Sequence, residues 1–258
     1  MNVVKIGGNV IDDPAKLAAF LQKYAALPGG KVLVHGGGKI ATQVAKELGI
    51  ESKMVEGRRV TDAAMRDVVT MVYGGLVNKR IVAGLQRLGC NALGLTGADG
   101  GAILAEKRPV KTIDYGFVGD VRQVNAPLIS LLLQHGLSPV FAPLTYDTDG
   151  NILNTNADTQ AAEIARALSG AADVNLVYCF EKKGVLRDAS DNTSLIPRLT
   201  PDLYEEFKAQ GIIYDGMIPK LDNAFAAVRA GVRRVIICEA EDLPLAVAGS
   251  TGTTIELE

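Results

Sequence analysis

Five short segments of this 258-residue chain carry residues whose types and spacing suit chemistry on anions. The first is Val4-Lys5-Ile6-Gly7-Gly8-Asn9. An apolar run ends there in a lysine and two glycines. Glycines let backbone N–H groups approach phosphate oxygens with no Cβ in the way, and the lysine adds a point charge. Alone, the segment reads equally as a tight turn with a solvated lysine. The second is Val32-Leu33-Val34-His35-Gly36-Gly37-Gly38-Lys39. Its glycines lie between an apolar run and a helical pattern, so free N–H groups gather at a helix N-terminus. His35 reads most simply as a strand-end histidine bonded to backbone, since no Ser or Cys nucleophile stands near it. Gly36–Ala41 also satisfies G-x-G-x-x-A, the dinucleotide fingerprint, but no second strand clearly ends near Glu56, where the acidic partner would fall. A G-x-x-x-x-G-K-[ST] loop is absent from the sequence.

The third segment, Glu56-Gly57-Arg58-Arg59-Val60-Thr61, puts an arginine beside a helix start. Its fork suits a carboxylate, although a surface ion pair explains it as well. In the fourth, Asn154, Asn156 and Asp158 alternate along an extended stretch that turns into a helix, so two amides and a carboxylate share one side. N-capping accounts for Asn156 or Asp158 but not for all three. The fifth is Tyr214-Asp215-Gly216-Met217-Ile218-Pro219-Lys220. A lysine at a helix start opposes the helix dipole, which a phosphate shared with that helix end would reconcile; otherwise it is simply solvated.

The elements that must hold these segments alternate. Apolar β-branched runs at Val3–Ile6, Lys31–His35, Ala92–Leu95, Pro139–Ala142, Asp173–Tyr178 and Arg234–Cys238 read as buried parallel strands. Helical patterns lie between them. Asp13-Pro14 caps one, Thr61-Asp62 opens a long one running to about Arg87, and Thr200-Pro201 opens another. The order predicts an α/β fold, a three-layer αβα sandwich with a mostly parallel central sheet. Ala102–Val121 reads as a strand pair turning at Lys107-Arg108-Pro109, and Tyr146–Gly150 as a hairpin tip. A soft boundary near Ser169-Gly170 divides an N-terminal lobe, 1–170, from a C-terminal lobe, 171–258, on one continuous sheet.

Composition narrows the function. Lys and Arg number 27 against 29 Asp and Glu, a net charge of −2, which argues against nucleic acid as a partner. No apolar run approaches the ~20 residues that span a bilayer, and the N-terminus lacks the basic-then-apolar pattern of a signal peptide. Cys90, Cys179 and Cys238 read as reduced core thiols of a cytoplasmic protein. With only His35 and His135 and no CxxC, a protein-built metal site is not expected.

Taken together and in this order, Val-Lys-Ile-Gly-Gly, Val-His-Gly-Gly-Gly, Arg-Val-Thr, Asn-x-Asn-Ala-Asp and Asp-Gly-Met-Ile-x-Lys resemble the amino acid kinase family, with Arg59–Thr61 and Asp215–Lys220 narrowing the likeness to its acylglutamate branch. The resemblance runs from Val3 to Thr254. It implies ATP, with Mg2+ carried by the nucleotide, and phosphorylation of the side-chain carboxylate of an N-acylglutamate, a step of arginine biosynthesis. It also implies roles. Lys5 and Lys220 stabilise the transition state and Asp158 orients them. Gly37, Gly38, Arg59, Asn154 and Asn156 hold the acylglutamate. Gly7 and Gly8 line the phosphates, and Glu181, Lys182, Lys183, Gly184, Val185, Leu186, Ile212, Ile213 and Tyr214 border the nucleotide. Relatives usually carry Thr-Asp-x-x-Gly-Val-Leu where this chain has Cys179–Leu186, and Gly in place of Thr145. The added hydroxyl of Thr145 raises a larger, acidic acyl group such as succinyl beside the acetyl default. Arginine-sensitive relatives add an N-terminal helix that joins dimers into a hexamer; four residues precede Lys5, so a homodimer insensitive to arginine is expected.

Overall fold

The computed structural model describes residues 1–55, 58–188, 190–214 and 217–258. The strands are β1 (Asn2–Ile6), β2 (Lys31–His35), β3 (Met54–Val55), β4 (Arg58–Arg59), β5 (Ala92–Leu95), β6 (Ile103–Lys107), β7 (Gly119–Val124), β8 (Ser138–Phe141), β9 (Leu144–Tyr146), β10 (Ile152–Asn154), β11 (Asn175–Phe180), β12 (Arg198–Leu199), β13 (Arg234–Glu239) and β14 (Thr253–Ile255). The α-helices are α1 (Gly8–Ile11), α2 (Pro14–Ala26), α3 (Gly38–Glu47), α4 (Ala63–Arg87), α5 (Ala126–Gln134), α6 (Ala157–Ser169), α7 (Pro201–Ala209), α8 (Met217–Arg229) and α9 (Leu243–Val247).

Eight strands form one sheet in the order β12-β14-β13-β11-β1-β2-β8-β5. From β13 to β5 every pair is parallel, and β14 runs antiparallel to β13. Successive side chains of a strand point to opposite faces. Val4, Ile6, Leu33, Val140 and Val177 therefore pack with α2 and α4. Val3, Val32, Leu176 and Val235 pack on the other face with α5, α6 and α8. Helices thus cover both faces of the sheet. A second sheet, β10-β9-β6-β7, stands beyond the β8 end, and β3 pairs with β4.

The helix starts are where the capping residues put them. Asp13 accepts from the N–H groups of Ala15 and Lys16, Thr200 from Leu203 and Asn156 from Asp158 and Thr159. Three expectations change. Strands β6 and β7 do pair, but their connection runs from Arg108 to Val118 instead of turning at Lys107–Pro109. Arg108 is held by the carboxylate of Asp120, through Nε at 3.1 Å. Strands β3, β4, β12 and β14 are two or three residues long, too short for a periodic signal. Finally, α4 is 25 residues with a mean hydropathy of 1.2 in its most apolar stretch, so it reaches membrane-spanning length where no such run was expected. Its apolar stripe, including Met65, Val68, Val72, Ile81 and Leu85, is buried in the core. Between Thr70 and Val77 it widens into a π-helical stretch that contains Gly74 and Gly75.

His35 closes the end of β2 and is fully buried. Its Nδ1 donates to the Gly36 carbonyl at 2.7 Å, and its Nε2 accepts from Asn78 Nδ2 at 3.2 Å. Asn78 also donates to the Val140 carbonyl at 2.9 Å, which fixes this tautomer from the α4 side. Burial lowers the imidazole to about 4, and the Gly36 hydrogen bond only partly opposes it. The unfolded chain takes up this proton near pH 6.5. Stability is therefore full above about pH 6.5 and is lost as pH falls toward about 4. Between pH 7.5 and pH 5 the loss from this group amounts to about 2 kcal/mol. Denaturant titrations at both pH values should show that increment in the wild type and lack it in His35→Gln.

Candidate active site

The site lies at the carboxyl ends of β1, β2 and β11, where parallel sheets place ligands. Lys5 points to the face opposite Val4 and Ile6, toward the first turn of α6. Its Nζ stands 2.8 Å from Asp158 Oδ1, and Lys5 is only 8% exposed. Tyr178, the register partner of Lys5 on β11, donates its hydroxyl to the Asp158 carbonyl at 3.2 Å. Two residues further, the Phe180 ring has Lys5 Nζ 5.4 Å and Lys220 Nζ 4.5 Å from its centroid. One aromatic ring thus gathers both ammonium groups, one from β1 and one from α8.

The two glycine turns lie against each other. The Gly36 N–H donates to the Ile6 carbonyl at 3.1 Å, and a Cβ on Gly36 would come within 3.5 Å of the Gly8 nitrogen. Gly37, at the N-cap of α3, has φ +147°, and a Cβ there would meet the Tyr73 ring at 3.1 Å. Only glycine fits that backbone without strain. The turns border two cavities. The larger, about 590 Å3, is lined by Gly7, Gly8, Glu181, Lys182, Gly184 and Lys220 among others. The smaller, about 220 Å3, is lined by Gly37, Arg58, Tyr73, Arg108, Asn154 and Asn156 among others. Gly38, Met54 and Arg59 belong to both walls, so the cavities meet at the start of α3. Lys220 on the larger wall, Lys5 behind Gly7, whose added Cβ would lie 3.8 Å from Lys5 Nζ, and free N–H groups can neutralise a polyanion facing a second anion.

Residues 1–239 match the amino acid kinase family. The chain belongs to that family. It is 61% identical over 243 residues to the acetylglutamate kinase of Cytophaga hutchinsonii, covering 93% of this chain and 92% of that protein. With the acetylglutamate kinase of Bacteroides thetaiotaomicron the identity is 57% over 256 residues, covering 99% and 98%. Among solved structures, smu.665 from Streptococcus mutans UA159 superposes with a TM-score of 0.77 at 30% identity, covering 100% of this chain and 98% of that one. The N-acetylglutamate synthase of Neisseria gonorrhoeae, complexed with coenzyme A and N-acetyl-glutamate, shares the fold over 59% of its own chain and all of this one, with a TM-score of 0.83 at 22% identity.

Within this amino acid kinase the expected residues divide cleanly by place. Gly7, Gly8, Glu181, Lys182, Gly184 and Lys220 line the larger cavity. Gly37, Asn154 and Asn156 line the smaller, while Gly38 and Arg59 line both. Asp158 is paired with Lys5, and the described ion pairs include none between Asp158 and Lys220. Lys183, Val185, Leu186, Ile212, Ile213 and Tyr214 are not on either wall. Val185 is buried and donates its N–H to Thr253 Oγ1 at 2.8 Å, and the Ile213 N–H closes the end of α7 on the Phe207 carbonyl. Glu56, Gly57, Asp215 and Gly216 lie outside the described residues.

Arg59 is more occupied than a free clamp would be. Its Nη2 donates to the Gly38 carbonyl at 2.8 Å and to Thr42 Oγ1 at 2.9 Å, and its Nη1 to Ser52 Oγ. The Tyr73 hydroxyl stands beside the same guanidinium. Asn156 spends its Oδ1 on the α6 cap, whereas Asn154 donates to Thr61 Oγ1 at 3.0 Å. Thr145 corrects an expectation, because it is fully buried and lies behind Thr155, with the two hydroxyls 2.8 Å apart. It does not line the small cavity. Arg108, Tyr73 and Met54 were not anticipated. Arg108 sat in an apparent turn motif, Tyr73 did not stand out from its apolar surroundings, and Met54 was one apolar residue in a polar stretch.

Proposed function

We propose that this kinase transfers the γ-phosphoryl of ATP to the side-chain carboxylate of N-acetyl-L-glutamate, forming the acyl phosphate and ADP in the arginine-biosynthetic direction. The observation that carries the reading is the meeting of two cavities at Gly38 and Arg59, with Lys5, Asp158 and Lys220 beside the junction. The larger cavity takes the nucleotide and the smaller takes the acylglutamate. The smaller is lined wholly by residues before position 158, in keeping with an N-terminal acylglutamate lobe.

The chemistry needs no general base. A carboxylate with a pKa of about 4 is ionised at neutral pH and attacks as it stands. One carboxylate oxygen bonds to the γ-phosphorus while the bridge to the β-phosphate breaks and its electron pair leaves with ADP. The difficulty is an anion approaching a polyanion in line, so catalysis is positional and electrostatic. Lys5, fixed by Asp158, and Lys220, beside Phe180, supply the cations. The N–H groups of the Gly7–Gly8 and Gly37–Gly38 turns supply donors whose approach no Cβ obstructs. In this reading Mg2+ arrives with the nucleotide, on its phosphates.

One observation favours a second reading, an acyl group with its own carboxylate. Arg58 and Arg108 line the small cavity and continue into an adjoining one of about 530 Å3 that also holds Lys111. ADP release with N-acetyl-, N-succinyl- and free glutamate tests both. The first reading expects the highest kcat/KM with acetyl, the second with succinyl, and no turnover with any acylglutamate overturns both.

In the same assay Lys5→Met and Lys220→Met should each lower kcat by a factor on the order of 10²–10⁴ with smaller changes in KM, because each cation meets charge that grows in the transition state. Near-full kcat in either variant would end the two-lysine mechanism. Arg59→Ala should raise KM for the acylglutamate far more than KM for ATP. The reverse order would exchange the occupants of the two cavities.

The chain also forms a homodimer in this reading, through α4. Met71 is 55% and Leu76 42% exposed on its outer side, and a Cβ on Gly75 would meet open space, so a second helix can approach closely there. Light scattering should give twice the monomer mass, and Met71→Glu with Leu76→Glu should return the monomer; a wild-type monomer or hexamer would refute it.

A further inference from the structure

Lys39 has no part in the mechanism above, yet its surroundings are unusual. It occupies the first turn of α3, where the helix dipole favours anions and opposes an ammonium. Its side chain, 72% exposed, leaves α3 and reaches the opposite glycine turn, donating to Asn9 Oδ1. It lines the 590 Å3 cavity together with Gly7, Gly8 and Lys220. Behind it stands Asp12, with Oδ2 at 3.7 Å from Lys39 Nζ. Both Asp12 oxygens are shut off from solvent, and among the described residues no donor other than Lys39 approaches them, although a carboxylate can accept about four hydrogen bonds. Burial raises the Asp12 pKa, and Lys39 is the group that opposes the rise.

The arrangement repeats Lys5 and Asp158 in a looser form, with an ammonium at the cavity and a carboxylate on the wall behind it. The difference is informative. Lys5 closes on its carboxylate to 2.8 Å, as an ion pair built for itself should. Lys39 stands off at 3.7 Å, beyond hydrogen-bond reach, and spends its contact on a neutral amide. Its charge is thus compensated only in part, at a cavity whose other walls carry glycine N–H groups and two further lysines, Lys182 and Lys220.

We propose that Lys39 is a third phosphate-binding cation of the nucleotide site, held across its mouth by Asn9 and Asp12 and taken up by the β- and γ-phosphates. This rests on the assignment of the larger cavity to ATP. Lys5 and Lys220 approach beside Phe180, and Lys39 approaches from the α3 side, so the three enclose the phosphates from different directions.

Calorimetric titration with ADP, ATP and adenosine tests it on the wild type, Lys39→Met, Lys39→Arg and the double variant Asp12→Asn/Lys39→Met. The double variant matters because Lys39→Met alone leaves a buried carboxylate without its counter-charge. Loss of one charged hydrogen bond should weaken ADP and ATP about tenfold in both Met variants. Adenosine binding should stay as in the wild type, and Lys39→Arg should keep most of the phosphate affinity. Wild-type ADP affinity in the double variant would overturn the proposal. So would an equal loss of ADP and adenosine accompanied by a lower melting temperature, since a structural tie between α1 and α3 predicts that. A wild type that binds neither ADP nor ATP would overturn the nucleotide assignment itself, and is distinguishable from both.

Discussion

The ion pair between Lys5 and Asp158 joins β1 to the first turn of α6, and the remainder of the site is laid out around that join. Taking two charges largely out of water is costly, and close contact repays it only where geometry is held rigidly. Here the holding is done by the sheet. Lys5 lies in register with Val34 on β2 and Tyr178 on β11, in the middle of six parallel strands. A slip of one residue would turn Lys5 toward α2 and α4 and carry Ile6 to the site. The apolar residues that flank it therefore act as positioning groups. Tyr178 shows the coupling most directly, because its hydroxyl is bonded to the Asp158 backbone while its ring is packed in the core.

The second constraint is the start of α3. Gly37 has a backbone conformation that a side chain would strain, and the Tyr73 ring of α4 occupies the space where that side chain would go. Arg59 then ties β4 to the same turn through the Gly38 carbonyl and Thr42. One helix start thus receives contacts from α4 and from the β3–β4 pair, and it forms the wall shared by both cavities. The two cavities in this way share one short stretch of backbone, at which Gly37 is the position where a side chain would be strained.

Much of this was legible from residue type and spacing, for reasons specific to each segment. The buried parallel strands announce themselves as unbroken β-branched runs, and a glycine turn after such a run has few roles besides close approach to an anion. Asn154, Asn156 and Asp158 were readable because their spacing exceeds what one cap requires, and the structure divides them accordingly, with Asn156 as the cap. Arg108 was illegible because Lys107-Arg108-Pro109 has the composition of a turn, whereas its place on the small cavity depends on Asp120 across the β6–β7 pair. Thr145 misled for the opposite reason. Its position next to Asn154 was right, since β9 and β10 are paired, but alternation sends its side chain inward to Thr155. The nucleotide-side stretch from Lys183 to Leu186 mixes residues on the surface with Val185 in the core, a distinction that no pattern of four residues expresses.

Helix α4 brings these constraints to a single element. A regular α-helix repeats its faces every 3.6 residues, and the wider turns between Thr70 and Val77 shift that repeat. The shift sets Tyr73 against Gly37 and buries Val72 and Val77, while Met71 and Leu76 remain at the surface. Gly74 lies where a Cβ would touch Leu144 at 3.4 Å, so the same stretch also packs on β9, whose antiparallel partner β10 ends in Asn154. Three walls of the small cavity therefore depend on one irregular stretch of helix: the α3 turn through Tyr73, the β9–β10 pair through Gly74, and Thr61 just before the helix through its bond to Asn154. A partner seated on Met71 and Leu76 would bear on those widened turns from the outside. In the proposed dimer, assembly through α4 and the shape of the small cavity would be mechanically linked, because the side chains that face a partner and the one that shapes Gly37 are neighbours on the same two turns.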